Sequence, residues 1–325
     1  MIDRAIAAVI RLPVMISLGA VRHVPRGCRT KILRGAIRSI ATPAPAGPAE
    51  VCEINSLADF DSRYARLAAM LGHAGRNPSP GELEFLNSIA KRRTSYPGNI
   101  GPSDYLFLTA FISILAPRRV IEIGTLTGFS AGIIAAALAR RHGSDSASWV
   151  DTIDINVECV IDKTRPTGFE IPETFPELVP LIRLHVPRNA TLLLQIAERD
   201  ELQVTFIDAD HRHPLPLLDL LRAAPCVRSG GWIVLHDIRL GTITRKAIEA
   251  GHSVGWEADY GAQWLFNYWP FRKISGGNIG AVQLPHEKSA LVPFALRMMS
   301  IQFETVEKHA RATQRALYES LGALC

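Results

Sequence analysis

The chain has 325 residues, 47% hydrophobic and 21% charged, with a formal net charge of +5. This composition argues against a disordered or fibrous protein, and at roughly 100–200 residues per domain the length fits one large domain with additions, or two. Five scattered cysteines without a CxxC pair argue against a disulfide framework or a zinc knuckle and suit a reducing cytosol.

The charge is uneven. Residues 1–49 hold eight Arg and Lys residues against one acid, Asp3, whereas the rest of the chain holds 28 basic and 30 acidic residues. A nucleic-acid partner calls for a basic folded domain, and the body does not supply one. Arg4, Arg11, Arg22 and Arg29 keep close to one helical stripe, broken by Pro13 and Pro25. Two readings stand for this arm: it lies on an anionic membrane surface or a partner, or it packs on its own domain with the arginines outward. The stretch Ala5–Val21 is interrupted by Arg11 and Pro13, so it is a poor membrane span, and Arg11 stands late for the start of a signal peptide. The expected location is the cytoplasm, either free or peripheral on the inner face of a membrane.

Ala41–Pro48 reads as a semi-rigid Pro/Ala linker. Residues 50–117 read as a helical cap, with helices over Leu57–Leu71, Gly81–Arg92 and Asp104–Leu115, and a loop over Ser95–Pro102. From residue 118 the pattern becomes strand–helix alternation. Strands are predicted over Val120–Ile123, Trp149–Ile155, Leu181–Val186, Val204–Asp208 and Gly231–Leu235, with helices over Ser130–Arg140, from Thr191, over Leu215–Cys226 and near Thr242–Ala250. This is an α/β fold: a doubly wound, mostly parallel, Rossmann-like sheet with helices on both faces. Ile279–Leu284 reads as a late, antiparallel strand. The core spans 118–285 and C-terminal helices fill 286–325.

In open α/β sheets, ligands bind beyond the carboxyl ends of the strands. The first strand ends in Glu122-Ile123-Gly124-Thr125-Leu126-Thr127-Gly128-Phe129-Ser130, spaced GxxxG rather than GxGxxG. The carboxylate at Glu122 speaks against a pyrophosphate and for a ligand with a cationic end. Asp154, closing the second strand, can accept both hydroxyls of a ribose. The fourth and fifth strands end in Asp208-Ala209-Asp210-His211 and His236-Asp237. If these strands are neighbours, Asp208 and Asp237 face one crevice and suit a hard cation such as Mg2+. His211 is then placed as a general base near neutral pH, with His236 a second catalytic candidate. Asp210 is expected to cap the next helix, His213 to be solvated, and Gly230-Gly231 to be the turn into the fifth strand.

At these residues the chain resembles the class I S-adenosylmethionine-dependent methyltransferases. The resemblance covers roughly 118–284. It implies that the turn holding Glu122, Ile123, Gly124, Thr125, Gly128 and Ser130 wraps the methionine part of S-adenosylmethionine. It further implies that Asp154 holds the ribose and that Asn189-Ala190 lies by the adenine. The DxDH…GGxxxxHD pattern looks like the branch that includes sugar and macrolide O-methyltransferases. In its metal-dependent members the positions of Asp208 and Asp237 bind Mg2+, and that of His211 is the base. Two positions depart from the relatives: His236 stands where a Glu precedes the second Asp, and Ile238 where catechol-type relatives place an Asn. Mg2+ with fewer protein ligands, a softer metal accepting His236, and no metal all stay open.

Tyr260–Phe271 holds six aromatics in twelve residues. A buried strand pair and a wall for a sugar or flat acceptor both account for it. Arg272 and Lys273 beside it would meet an acidic substrate group or form a solvated edge. The expected reaction is O-methylation of a small-molecule acceptor, a sugar or glycosylated product. A non-catalytic binding protein attached to a membrane by its arm and a nicotinamide-dependent oxidoreductase are the alternatives. The oligomeric state, a homo-oligomer included, stays open.

Overall fold

The computed structural model describes residues 47, 49–92, 96–143, 148–254, 259–304 and 307–324. The predicted basic arm lies outside them, as does the linker except for Gly47.

After the short strand β1 (Ala49–Val51), the chain forms helices α1 (Phe60–Met70), α2 (Glu82–Ala90) and α3 (Pro102–Leu115). Alternation follows: β2 (Arg119–Ile123), α4 (Phe129–His142), β3 (Trp149–Ile153), a hairpin of β4 (Glu158–Cys159) and β5 (Asp162–Pro166), α5 (Glu170–Thr174) and β6 (Ile182–His185). The chain continues through α6 (Leu193–Ile196), β7 (Leu202–Ile207), α7 (Leu215–Ala223), β8 (Val227–Leu235), α8 (Leu240–Glu249) and α9 (Gly261–Tyr268). It closes with β9 (Lys273–Ser275), β10 (Gly280–Gln283), α10 (Leu291–Met298) and α11 (Glu307–Gly322).

The main sheet runs β1-β9-β10-β8-β7-β2-β3-β6. From β8 to β6 the neighbours are parallel, and β10 is antiparallel to both β8 and β9. The chain builds outward from β2 through β3 to β6, then returns to the other side of β2 with β7 and β8. The reversal between β2 and β7 is a topological switch point, where the strand ends leave a crevice.

Period-two alternation sends side chains to two cores. Ile121, Ile123, Ile153, Ile207, Ile233 and Leu235 join a cluster with α7, α9, α10 and α11. Val120, Val150, Val204, Phe206, Trp232 and Val234 join a second cluster with α1 to α4. The N-terminal helices are therefore packed on the sheet, and β1 extends its edge by pairing with β9.

Three local expectations are corrected. The aromatic run is a helix, not a strand pair: Leu265, Phe266 and Trp269 are buried at helical spacing, while Tyr268 is exposed. Gly230-Gly231 lies inside β8 rather than before it, where the register with β7 shifts and Gly230 takes φ +72°. An extra residue at such a bulge needs a conformation that glycine adopts freely. The helix from Thr191 is a single 3-10 turn followed by the four residues of α6.

Candidate functional site

Register places the site. Ile123 stands opposite Ile153 and Ile207, and Ile207 opposite Leu235. The next residues are Gly124, Asp154, Asp208 and His236, level across four adjacent strand ends. Gly124 has φ +97°, and a Cβ there would sit 2.0 Å from the carbonyl oxygen of Asp208. Gly128 has φ +88°, and its Cβ would strike Ile171. Both motif glycines are thus required by the close approach of neighbouring chain, besides any role toward a ligand.

Glu122 lies beneath this turn, fully buried. Thr152 donates a hydrogen bond to its Oε2, and Thr125 Oγ1 is 2.6 Å from the Thr152 hydroxyl. Burial raises the Glu122 pKa to about 8, against the pull of hydrogen bonds from Ser130 and Thr152. Burial thus favours the protonated carboxyl. Glu122, Thr125 and Ser130 brace the turn from below.

Asp154 faces the same turn from the next strand. Its Oδ2 accepts the backbone N–H groups of Thr125 and Leu126, each at 3.1 Å. Its Oδ1 accepts from the backbone and the side chain of Asn156, at 2.9 and 3.1 Å. Leu126, at φ +51°, is held in a left-handed conformation that side chains rarely adopt. Three of the four bonds to Asp154 come from backbone. The Asn156 amide is the one partner that can swing away and yield to a hydroxyl. Ile155, next in sequence, is 66% exposed. A carboxylate beside a bare apolar side chain suits a nucleoside, with hydroxyls on one and a flat ring on the other. The loop after β6 reaches this place, because Arg188 N–H donates to the Asp154 carbonyl. Asn189 spends its side-chain oxygen capping Thr191, and Ala190 is buried in the core.

The other end of the crevice gathers two histidines and three carboxylates. Asp208 Oδ1 lies 3.0 Å from His236 Nδ1, and His236 Nε2 lies 3.3 Å from Asp104 Oδ2. Burial opposes a charged His236 ring, but the carboxylates of Asp208 and Asp237, with the hydrogen bonds to Asp104 and Asp208, outweigh it and hold its pKa well above the ordinary value. Burial alone would raise the Asp208 pKa, and His236 and His211 more than reverse that, leaving it below the usual carboxylate range. His211 Nε2 lies 3.1 Å from Asp237 Oδ2 and 3.7 Å from Asp208 Oδ1. Asp237 takes φ +57°, and the Asn278 amide, from the turn between β9 and β10, donates to its Oδ1.

Asp208, His211 and Asp237 each offer one ligand atom, all within 4.8 Å of one another. Two carboxylate oxygens beside an imidazole form a donor set that fits a divalent cation. His236 does not belong to it, since both of its ring nitrogens are taken by carboxylates.

Two further expectations fail, and both failures trace to the C-terminal segment or to local turns. His213 is not solvated. It is buried, its Nε2 lies 3.0 Å from the Met298 carbonyl, and burial lowers its pKa to about 4. Asp210 caps no helix, since it accepts from the backbone and side chain of Arg212, two residues on. The loop bearing His211 is gripped from two sides. The Gly261 N–H donates to the His211 carbonyl, and the Glu304 carboxylate accepts the N–H groups of His213 and Tyr260. Arg272 and Lys273 both serve packing. Arg272 pairs with Glu50, and the buried Lys273 ammonium donates to the carbonyls of Phe266 and Asn267 at the end of α9.

Sequence reasoning missed Asp104 and Asn278. Asp104 carries a visible signal, an acid three residues after Gly101 that accepts the N-cap N–H, but that signal points to a helix start.

A family model described as a methyltransferase domain matches residues 121–238. The chain is 27% identical over 180 residues to tapetum-specific methyltransferase 1 of Arabidopsis thaliana, a match covering 53% of this chain and 72% of that protein. Similar solved structures include an O-methyltransferase from Bacillus cereus in complex with SAH, at 16% identity and a TM-score of 0.40, covering 70% of this chain and 100% of that one. Another is the O-methyltransferase TomG from Streptomyces achromogenes, at 17% identity and a TM-score of 0.37, covering 64% of this chain and 84% of that one. Among the described residues, no helix is long and apolar enough to cross a membrane.

Proposed function

We propose that this protein moves a methyl group from S-adenosylmethionine to a hydroxyl oxygen of a small molecule, with His211 as general base; the methyltransferase-domain model matched by residues 121–238 supports the reading. The observation that carries the reading is the convergence of His211, Asp208 and Asp237 at the strand ends next to the Gly124 turn.

S-adenosylmethionine supplies a methyl group on a positively charged sulfur, which passes to oxygen as the carbon–sulfur bond breaks. The chain's part is to hold both reactants in line and to take one proton. The turn after β2, held by Asp154, receives the methionine end, while Asp154 and Ile155 receive the nucleoside. His211 takes the acceptor proton. With Nε2 donating toward Asp237, the ring's basic lone pair is on Nδ1. Asp237 and Asp208 lie beside the imidazolium that forms. Gly261 and Glu304 fix the loop on which it stands. A divalent cation, when bound, would be held by Asp208 and Asp237 and would ease ionisation of the acceptor hydroxyl. Sugar and glycosylated acceptors are the favoured class, on the strength of the DxDH…HD pattern.

The test is His211→Ala with S-adenosylmethionine and two acceptor probes, 3,4-dihydroxybenzoate and methyl α-L-rhamnoside. Turnover should fall by about 10²–10⁴, the usual worth of a general base, with S-adenosylmethionine affinity unchanged. Joint loss of binding and turnover would make His211 structural. Loss of wild-type activity on chelation with EDTA, restored by Mg2+, would place the cation in the reaction.

A further inference from the structure

We propose that Asp104, on the first turn of α3, is a positioning residue of this site, acting through His236 to set the Asp208 carboxylate. For its kinetic consequence this rests on the methyl-transfer reading above.

His236 is a buried ring with a carboxylate at each nitrogen: Asp208 on Nδ1 at 3.0 Å and Asp104 on Nε2 at 3.3 Å. It cannot rotate without losing one of them. Asp208 in turn uses the same Oδ1 that faces His236, so the direction of its free oxygen depends on where the ring stands. Asp104 itself is 5% exposed. Its Oδ2 also accepts the Gly101 N–H at 3.3 Å, closing the helix cap, while its Oδ1 is buried with no hydrogen-bond partner. A cap does not account for such a residue. A neutral glutamine at this N3 position reaches back to the N-cap N–H as well, and a buried carboxylate with an unpaired oxygen is costly. The contact with the His236 ring gives the carboxylate the partner that the helix does not.

The same segment touches the cofactor end. Asn99 accepts from the Thr127 hydroxyl at 2.6 Å and donates to Glu170 at 2.7 Å. Residues 99–104 thus hold the glycine turn with one end and the acid cluster with the other. The helices ahead of the sheet thereby complete the site.

The experiment compares Asp104→Ala and Asp104→Asn with the wild-type full chain. Asn keeps an acceptor for both the Gly101 N–H and the His236 ring; Ala keeps neither. The first readout is the His236 Nε2 proton by NMR, slowly exchanging in the wild type and in Asp104→Asn, and lost in Asp104→Ala. The second is kinetic, with the same two acceptor probes. Partners that orient active groups are worth about 10- to 100-fold, so Asp104→Ala should lose that much in kcat, Asp104→Asn should recover most of it, and S-adenosylmethionine affinity should hold in both. Unchanged kcat in Asp104→Ala overturns the proposal, as does a parallel fall in kcat, cofactor affinity and Tm in both variants. If the wild type methylates neither probe, the methyl-transfer reading fails. The imidazole proton still decides, since its persistence in Asp104→Ala overturns the link to His236.

Discussion

The crevice has two ends, and the pKa of one acid at each, Glu122 and Asp208, is moved in opposite directions. At the β2–β3 end, burial pushes the Glu122 pKa up to about 8, and the carboxylates of Asp208 and Asp154 push the same way. The neighbouring Asp154 spends its lone pairs on the turn above it. At the β7–β8 end, the Asp208 side chain is 11% exposed, and His236 and His211 beside it hold its pKa below the usual carboxylate range. Burial is common to both ends, and the partner decides the charge. One end is therefore a scaffold that shapes a turn, and the other a reservoir of charge that can hold a proton or a cation.

That contrast is broken most severely at the charged end. Asp208→Asn leaves His236 buried and cationic with its closest anion gone, a change that costs about 3–5 kcal/mol when one partner of a buried pair is removed. A large drop in Tm is expected; a Tm like the wild type would mean that His236 is not charged there. Next comes Asp154→Ala, which removes the acceptor of two backbone groups in the turn and frees the strained Leu126. The expected loss is about 1.5–3 kcal/mol, the worth of hydrogen bonds to a charged group, together with a raised KM for S-adenosylmethionine. Unchanged KM would show that the turn is indifferent to this carboxylate. The smallest effect is expected of Glu122→Gln. The folded chain keeps the Glu122 proton up to about pH 8, against 4.5 for an ordinary carboxyl. The folded state then binds the extra proton between these values, so its stability is fullest below pH 4.5 and declines as pH rises toward 8. Glu122→Gln should flatten that decline and have a Tm at pH 8 no lower than the wild type. A sharp loss of stability in the variant would contradict the neutral carboxyl.

Much of this was legible in the chain. The five parallel strands and the antiparallel β10 announce themselves through short apolar runs between turn residues. The acids at their ends follow from register alone, since Asp154, Asp208 and Asp237 each stand just past a strand. The edge was not legible, because β1 and β9 have three residues each, too few to show alternation. Nor were the β4–β5 hairpin and the full membership of the site. Asp104 meets His236 across 132 positions, and Asn278 meets Asp237 across 41. Local pattern carries no trace of such pairings. His213 failed for the same reason: the segment that buries it lies some 85 residues downstream. Glu122 was legible as a residue, but its burial was not, because that depends on what surrounds a side chain in three dimensions.

Calorimetric titration of the full chain with S-adenosylmethionine tests the central claim most directly. The account predicts saturable binding that is competed by S-adenosylhomocysteine, survives His211→Ala and weakens in Asp154→Ala. Absence of binding at about 1 mM, an affinity of only about 4 kcal/mol, would contradict it.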